Sequence, residues 1–360
     1  MANTSPRNNI SLLIEQHLEK LPFYCKDYVM SKLSTRYNSK LTIYEYLKEW
    51  TKFFDFLVRN SHGELSSDLT KISPQYLENI RQKTIESYII EMQIHNKSIN
   101  TINRSISALK SLFRYLSVEY EDVSTLDTLI TRNVMQAFSP LKDSQSLQSR
   151  ALSMQPYLLL GNKTQEFLDF VEFKYEEVAF SDEDKIGRGR FLKNKERDLA
   201  IMALMLGSGI RVSECANLQI AGVNLTNQSI SIHRKGDKDD NVYIAEFSVK
   251  YLNSYLDIRE DRYNTTSRPS DFVFVTNRTK SGKHLPISIS TIEKFVEKYS
   301  IAFGQRITPH KFRHTLATRL YTTTHSKMAV STQLGHSNSR TGDLYMQLEN
   351  KETKQALDKL

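Results

Sequence analysis

The feature that most constrains the fold is a long helical rhythm of apolar residues between Leu41 and about Leu116. Glycine is nearly absent from this stretch, and proline occurs only at Pro74. Glycine and proline interrupt regular structure most strongly, and apolar residues that return every three or four positions predict amphipathic helices. The first part of the chain is therefore predicted to be helical, with helices over 42–59, 74–94 and 98–120.

The most regular of these segments, 98–120, has two chemically different faces. One is an apolar stripe in a four-three-four-three rhythm, which predicts burial: Ile102, Ile106, Leu109, Phe113 and Leu116. The other is polar and basic: Thr101, Asn103, Arg104, Ser107, Lys110 and Arg114. On a helix in a DNA groove the cations would meet phosphates, while Asn and Arg could reach base edges. An ordinary solvated helix face has the same pattern, so both interpretations stay open.

The charge balance points to a polyanionic partner. The 360 residues carry a formal net charge of +8, with 49 basic and 41 acidic side chains. Nucleic acid is the first partner to consider, although a basic surface with no partner is equally compatible.

Cys25 and Cys215 are too few for a disulfide framework or a zinc ribbon, and the start of the chain lacks a signal-peptide pattern. We expect a soluble protein of the reduced cytoplasm with no membrane partner.

A polar stretch of weak periodicity, 139–162, interrupts the helical pattern and has the composition of an interdomain linker. We predict a helical domain over 1–145, a linker over 146–162 and a second domain over 163–360. The second domain shows helical patterns near 165–177, over 194–206 and after Pro286, with strand character at 229–232, 242–244 and 272–275. The predicted fold class is mainly α with a small β-sheet.

The segment that begins at Thr308 places several chemically useful side chains on one helix. Thr308 is a natural cap and Pro309 suits the first turn. His310, Arg313 and His314 would then share one face, because residues three and four apart are neighbours on a helix. Two histidines four apart also match a zinc-binding pattern, but Lys311 stands where that pattern needs a glutamate. We therefore predict a phosphate-binding helix and no metal site, with His314 supporting its neighbours.

Two further cations are candidates for the same site. Arg211 follows a Gly-Ser-Gly break at the start of a predicted helix, where backbone amides already favour an anion, and Glu214 would orient it. Lys235 lies in a polar hairpin, where an ammonium could protonate a leaving oxygen. Lys238 competes for that role, and a hairpin without function is the alternative.

Tyr345 is one of eighteen tyrosines, so its position matters more than its identity. It follows His336 by nine residues, on a segment that a helix end at Gly335 would leave adjustable. A free phenol has a pKa of about 10 and needs neighbouring cations or a base to act as a nucleophile near neutral pH. The two arginines, His310 and His336 would supply that environment.

Taken together, these positions resemble the signature of the tyrosine site-specific recombinases, the group of lambda integrase and the Xer proteins. The match is residue by residue: Arg211, Lys235, His310-x-x-Arg313, His336 and Tyr345. The local strings at 209–214, 309–314 and 334–336 also agree with the family. The segments 193–200 and 308–321 resemble its single-protein Xer branch more narrowly. The resemblance implies an amino-terminal core-binding domain of SAM-like fold and a catalytic domain that together clamp DNA.

The resemblance also implies a mechanism. Tyr345 would attack the scissile phosphate and form a 3′-phosphotyrosine, with no need for ATP, a divalent metal or another cofactor. Arg211, Arg313 and His336 would stabilise the charge, His310 would assist proton movement, and Lys235 would protonate the 5′ oxygen. Four protomers would exchange strands between two DNA sites through a Holliday junction.

The implied biological role is the resolution of chromosome dimers at a dif-like site, with a DNA translocase as an accessory protein. A mobile-element integrase would use the same chemistry, and a type IB topoisomerase would share the nucleophile. A non-catalytic DNA-binding regulator is the alternative from another class.

After Tyr345 the last fifteen residues have a narrow apolar stripe among charges, which predicts a helix that packs either on its own domain or on a neighbouring protomer.

Overall fold

A computed structural model of the protein describes residues 10–34, 39–122, 125–142, 145–234, 238–280, 283–335, 343 and 345. The chain divides into two compact units, Met1–Ser144 and Gln145–Leu360. None of the helices in the described ranges combines the length and apolar composition needed to cross a membrane. The two units are mainly helical, with small antiparallel sheets in the second, which confirms the predicted fold class.

Unit 1 is a helical domain around one aromatic-rich core. Trp50, Phe53 and Phe54 are fully buried at its centre, and the indole Nε1 of Trp50 donates to the carbonyl of Ala108 at 2.9 Å. Ser98 begins the last helix by accepting a hydrogen bond from the Thr101 amide at 3.2 Å. The helices are α1 (Ile10–Leu18), α2 (Phe23–Ser34), α3 (Lys40–Asn60), α4 (Pro74–Asn79), α5 (Gln82–Ile94) and α6 (Ile99–Arg114).

Two predicted helices of unit 1 are interrupted in the structure. The segment 74–94 divides into α4 and α5 because Ile80 leaves the helical conformation and Arg81 is extended. The Arg132 guanidinium satisfies the free carbonyls of Glu78 and Ile80 at 3.0 and 2.9 Å. The segment 98–120 leaves the α-helical pattern after Arg114 and closes with a π turn, Tyr115–Glu119. Helices α1 and α2 precede the part of the chain that the periodicity covered.

Unit 2 is organised around one long helix, which packs against most of the other helices of the unit. That helix, Lys185–Ser208, is buried along its carboxyl-terminal half, 197–208. It begins nine residues before the predicted start, where Asp184 accepts a hydrogen bond from the Gly187 amide at 2.8 Å. The helices are α7 (Leu147–Met154), α8 (Lys163–Asp169), α9 (Tyr175–Ala179), α10 (Lys185–Ser208), α11 (Val212–Ala216), α12 (Glu246–Tyr263), α13 (Ile289–Ala302), α14 (Pro309–Thr324) and α15 (Lys327–Leu334).

Two small antiparallel sheets complete the described part of unit 2. The strands are β1 (Val223–Asn224), β2 (Ser229–Arg234), β3 (Lys238–Tyr243), β4 (Val275–Lys280) and β5 (Lys283–Pro286). Strands β1, β2 and β3 pair in that order, and β4 pairs with β5. The register of β2 and β3 joins Ser229 to Tyr243 and Arg234 to Lys238. This hairpin is longer than the predicted strands, because its alternating pattern continues through polar residues.

The segment 146–162 differs from the predicted linker. It contains α7, and Ala151, Met154 and Leu158 are buried in a cluster with apolar side chains of α14 and α15. The Thr315 hydroxyl accepts a hydrogen bond from the Leu159 amide at 3.1 Å. The weak periodicity concealed this element, because α7 is short and its neighbours come from far along the chain.

Candidate active site

Helix α14 places Arg313 inside unit 2. Pro309 occupies the first turn of the helix, and the Arg313 side chain, 4% exposed, donates to the carbonyls of Gly209 at 2.6 Å and Leu334 at 2.5 Å. Burial lowers the pKa of Arg313 to about 10, and the charge of Arg211 contributes in the same direction. The guanidinium therefore remains charged near neutral pH, and α14 is tied to the ends of α10 and α15.

Arg211 lies where α10 ends and α11 begins. Gly209 ends α10 with a left-handed backbone (φ +70°), which favours glycine because it has no Cβ. The Arg211 amide donates to one oxygen of Glu214 at 2.7 Å, and its guanidinium donates to the other at 2.6 Å. Glu214 is 4% exposed and Arg211 is 43% exposed, so the buried carboxylate orients a cation that solvent can still reach. This is the orienting contact predicted for Glu214.

His310 is held in its neutral form. Partial desolvation lowers its pKa although the residue remains accessible to solvent, and the charges of Arg313, Lys311 and Arg211 lower it further. A neutral imidazole can accept a proton near neutral pH, which suits the predicted role in proton movement. The His310 ring meets the His314 ring edge to face, with 4.6 Å between their centroids.

Tyr345 is buried and hydrogen-bonded to His314, for which the sequence predicted only a supporting role. Its side chain is 1% exposed, and its hydroxyl lies 2.9 Å from Nδ1 of His314. Burial raises the pKa of Tyr345 to about 12, although the charge of Arg313 opposes that shift. The spacing of His314 from His310 was the only signal for this contact. The phenol is thus protonated near neutral pH and enclosed by protein.

The structure brings four predicted residues into one region of unit 2. Arg313 contacts the Gly209 carbonyl, two residues before Arg211, and the His310 ring meets His314, which lies 2.9 Å from the Tyr345 hydroxyl. Lys235 and His336 lie outside the described residues, as does the side chain of Lys238. Arg234, which sequence reasoning did not single out, donates to the same Leu334 carbonyl as Arg313.

The polar face of α6 is largely engaged within unit 1. Asn103 donates to the Leu141 carbonyl at 3.0 Å and accepts from the Leu141 amide at 2.7 Å. Lys110 donates to the Phe138 carbonyl at 2.7 Å, and Arg104 pairs with Glu49 at 3.2 Å.

The remaining candidates on this face have local partners. Thr101 contacts the capping Ser98, Ser107 donates to the Asn103 carbonyl, and Arg114 pairs with Glu119. Arg104 and Arg114 are the exposed cations among the six candidates. DNA binding by this face stays a prediction.

Comparison with known proteins gives the family. Residues 185–352 match the phage integrase family. The chain is 41% identical over 359 residues to the tyrosine recombinase XerS of Lactococcus lactis subsp. cremoris, covering 96% of this chain and 98% of the relative. It is 42% identical to XerS of Streptococcus uberis over 358 residues, with the same coverage. The chain belongs to the tyrosine recombinase family. It is therefore an enzyme that cleaves and rejoins DNA strands, as the resemblance implied.

Solved structures show that the recombinase fold extends over both units. A XerH site-specific recombinase bound to a difH substrate superposes with a TM-score of 0.60 at 20% identity, covering 98% of this chain and 97% of that one. A lambda integrase dimer bound to a COC′ core site gives 0.54 at 15% identity, covering 89% and 93%.

Proposed function

We propose that this tyrosine recombinase acts at a specific DNA site through Tyr345. The phenol oxygen forms a bond to the scissile phosphorus, and the bond from phosphorus to the 5′ oxygen breaks. Lys235 gives its proton to that oxygen, and a 5′ hydroxyl later reverses the step to rejoin the strand. Arg211, Arg313 and His336 stabilise the phosphorane charge, and His310 accepts the proton that the phenol loses on attack.

The observation that carries this proposal is the pairing of a buried phenol with a phosphate-binding set. Tyr345 lies 2.9 Å from His314, in a region where Arg313 and Arg211 are close enough to shift the pKa of their neighbours. Guanidinium forks match phosphate oxygens, and their charge matters most when the phosphate gains charge in the transition state. A regulator that only binds DNA would not need a nucleophile held among these groups.

Trapping of a covalent complex tests the chemistry. A duplex nicked beside the scissile phosphate should trap the wild-type protein, because the short leaving strand diffuses away. Tyr345→Phe should bind the duplex and give no adduct. Tyr321→Phe is the matched control, because Tyr321 belongs to the same buried cluster and should leave trapping intact. An adduct with Tyr345→Phe would assign the nucleophile to another residue, and no adduct with the wild type would favour a DNA-binding regulator.

We further propose that the substrate is a dif-like chromosomal site and that the reaction resolves chromosome dimers. The support is the 41% identity to XerS over nearly the whole chain and the likeness to a recombinase bound to difH. The working assembly would be a homotetramer on two DNA sites, with a DNA translocase as accessory protein. Because its substrate is the chromosome, the protein would work in the cytoplasm.

A mobile-element integrase is the second candidate, because a Tn1549 transposon integrase superposes with a TM-score of 0.56 at 16% identity. A genetic test separates the two roles. Chromosome dimers arise only from crossovers, so deletion of the gene should cause a division defect that disappears when homologous recombination is also inactivated. A deletion without such a defect, together with a footprint at the ends of a mobile element, would support the integrase.

A further inference from the structure

The last residue of β2, Arg234, reaches across unit 2 to the end of α15. Its side chain is 10% exposed, and its guanidinium donates from Nη1 to the Leu334 carbonyl and from Nη2 to the Gln333 carbonyl, the latter at 3.2 Å. On the third side, Nε forms an ion pair with a carboxylate oxygen of Asp240 on β3 at 2.6 Å, without the geometry of a hydrogen bond. The guanidinium therefore joins both strands of the hairpin to one helix end.

Other elements also form hydrogen bonds with the same helix end. The Leu334 carbonyl also accepts from Arg313 of α14, and Gln333 donates to the carbonyls of Ser208 at 3.0 Å and Tyr243 at 2.7 Å. The carboxyl end of a helix carries partial negative charge and free carbonyls, so it suits cations and amide donors. The ends of α10, α15 and β3 thus meet at one junction with α14 and β2.

Gly335 shows how closely Arg234 approaches this junction. Its backbone is left-handed (φ +62°), and a Cβ at this position would lie 2.1 Å from Nη1 of Arg234 and 2.3 Å from Cζ. Any other residue here would displace the guanidinium in addition to straining the turn. The glycine before His336 is therefore required for the contact with Arg234 as well as for ending the helix.

Chain connectivity relates this junction to the chemistry. Arg234 directly precedes Lys235, the proposed acid, and Leu334 lies two residues before His336. We propose that Arg234 is a positioning residue. It holds the hairpin that carries Lys235 against the end of α15, which Arg313 also contacts. The proposal rests on the proposed recombinase chemistry. Arginine is needed because its planar guanidinium donates to two carbonyls and still faces a carboxylate on its third edge. The ammonium group of a lysine cannot reproduce this arrangement.

Cleavage of two substrates tests this role. A substrate with sulfur in place of the bridging 5′ oxygen hardly needs an acid, since a thiolate is a good leaving group. On the ordinary substrate Arg234→Ala should cleave slower by about 100-fold in single turnover, the scale expected for a displaced catalytic group. On the 5′-thio substrate most of that loss should disappear, as for Lys235→Ala. DNA affinity should stay within about threefold, because the guanidinium contacts protein rather than phosphate.

Two variants control for folding. Arg262→Ala removes another arginine that binds a backbone carbonyl and a carboxylate in unit 2, those of Leu192 and Glu196, and it should cleave both substrates at the wild-type rate. Arg234→Lys keeps the charge and most of the stem. It should show the same rescue by sulfur, and it replaces Arg234→Ala if thermal melting shows that the alanine variant is unfolded.

Three results would overturn the proposal. Wild-type cleavage by Arg234→Ala would mean that the hairpin needs no anchor. An equal loss on both substrates would mean that Arg234 acts on general stability or on Arg313 rather than through the acid. A loss of DNA binding in proportion to cleavage would make it a DNA contact. Failure of the wild type and of Arg262→Ala to form any adduct would instead refute the proposed function.

Discussion

At the scale of single residues, the two arginines of the site differ in their burial and in their hydrogen-bond partners. Arg313 is buried on two backbone carbonyls, whereas Arg211 is partly exposed and pairs with Glu214. We expect Arg313→Ala to lower the free energy of unfolding by about 1–3 kcal/mol, because the Gly209 carbonyl loses its arginine donor and the Leu334 carbonyl keeps only Arg234. Arg211→Ala should lower it by a similar amount, about 1–3 kcal/mol, because one oxygen of the buried Glu214 loses its charged donor. Urea denaturation measures both values.

Both substitutions should slow cleavage much more than they weaken DNA binding. The expected cost is about 3–4 kcal/mol of transition-state stabilisation for each arginine. Single-turnover cleavage and filter binding on the same duplex separate the two effects. Parallel losses in binding and cleavage would show that the arginines only hold DNA in place.

The neutral state of His310 predicts a pH dependence of stability. Its pKa in the folded protein lies below its ordinary value of 6.5, so the unfolded chain binds a proton more readily. Its contribution is therefore fully present above pH 6.5 and is lost as the pH falls through the folded pKa. His310→Gln should lose less stability than the wild type between pH 7.5 and 5, as measured by urea denaturation at each pH. Identical pH profiles would show that folding does not lower the pKa of His310.

At the scale of elements, α6 shows how a face predicted to bind DNA is divided between structure and recognition. The Asn103 amide and the Lys110 ammonium hold the segment around Phe138 and Leu141. These contacts direct both side chains toward the backbone of their own unit, so that only their remaining donors and acceptors could reach a base. Arg104 and Arg114 remain the candidates for contacts with DNA.

Substitution of these two arginines tests that division. Arg104→Ala should relax sequence preference, whereas Arg114→Ala should weaken binding to all DNA and reduce the salt dependence by about one unit of slope. Arg59→Ala is the control, because Arg59 is also exposed, pairs with Glu91 and belongs to α3 of the same unit. Affinity and specificity would be measured by titration at several salt concentrations. If all three variants behave alike, the α6 face is an ordinary solvated surface.

At the scale of the whole molecule, the last residues are predicted to control assembly. Their apolar positions among charges predict a helix with a narrow contact stripe, which the family passes to a neighbouring protomer. Truncation after Asn350 should leave a folded protein that binds DNA, fails to complete recombination and cleaves without control. Gel analysis of synaptic complexes and of strand-exchange products measures this. Normal tetramers and normal exchange by the truncated protein would remove the tail from that role.

The long helices and the common helix face of His310 and Arg313 were predictable because their signals are local. An apolar rhythm shows which face of a helix is buried, as in α3 and α6, and spacing alone puts His310 and Arg313 on one face of α14. The recombinase signature links positions that lie far apart in the chain, because the phosphate chemistry of the family requires the same side-chain types in the same order. The sequence by itself therefore determined the fold class, the family and the expected nucleophile.

Only the tertiary structure decided which side chains hold these groups in place. The contact of Arg234 with Leu334 joins residues 100 positions apart, and His314 meets Tyr345 across 31. The break between α4 and α5 likewise depends on Arg132, more than 50 residues away. Such contacts leave no periodic trace, because a buried carbonyl or phenol can accept any donor that the packing brings within about 3 Å.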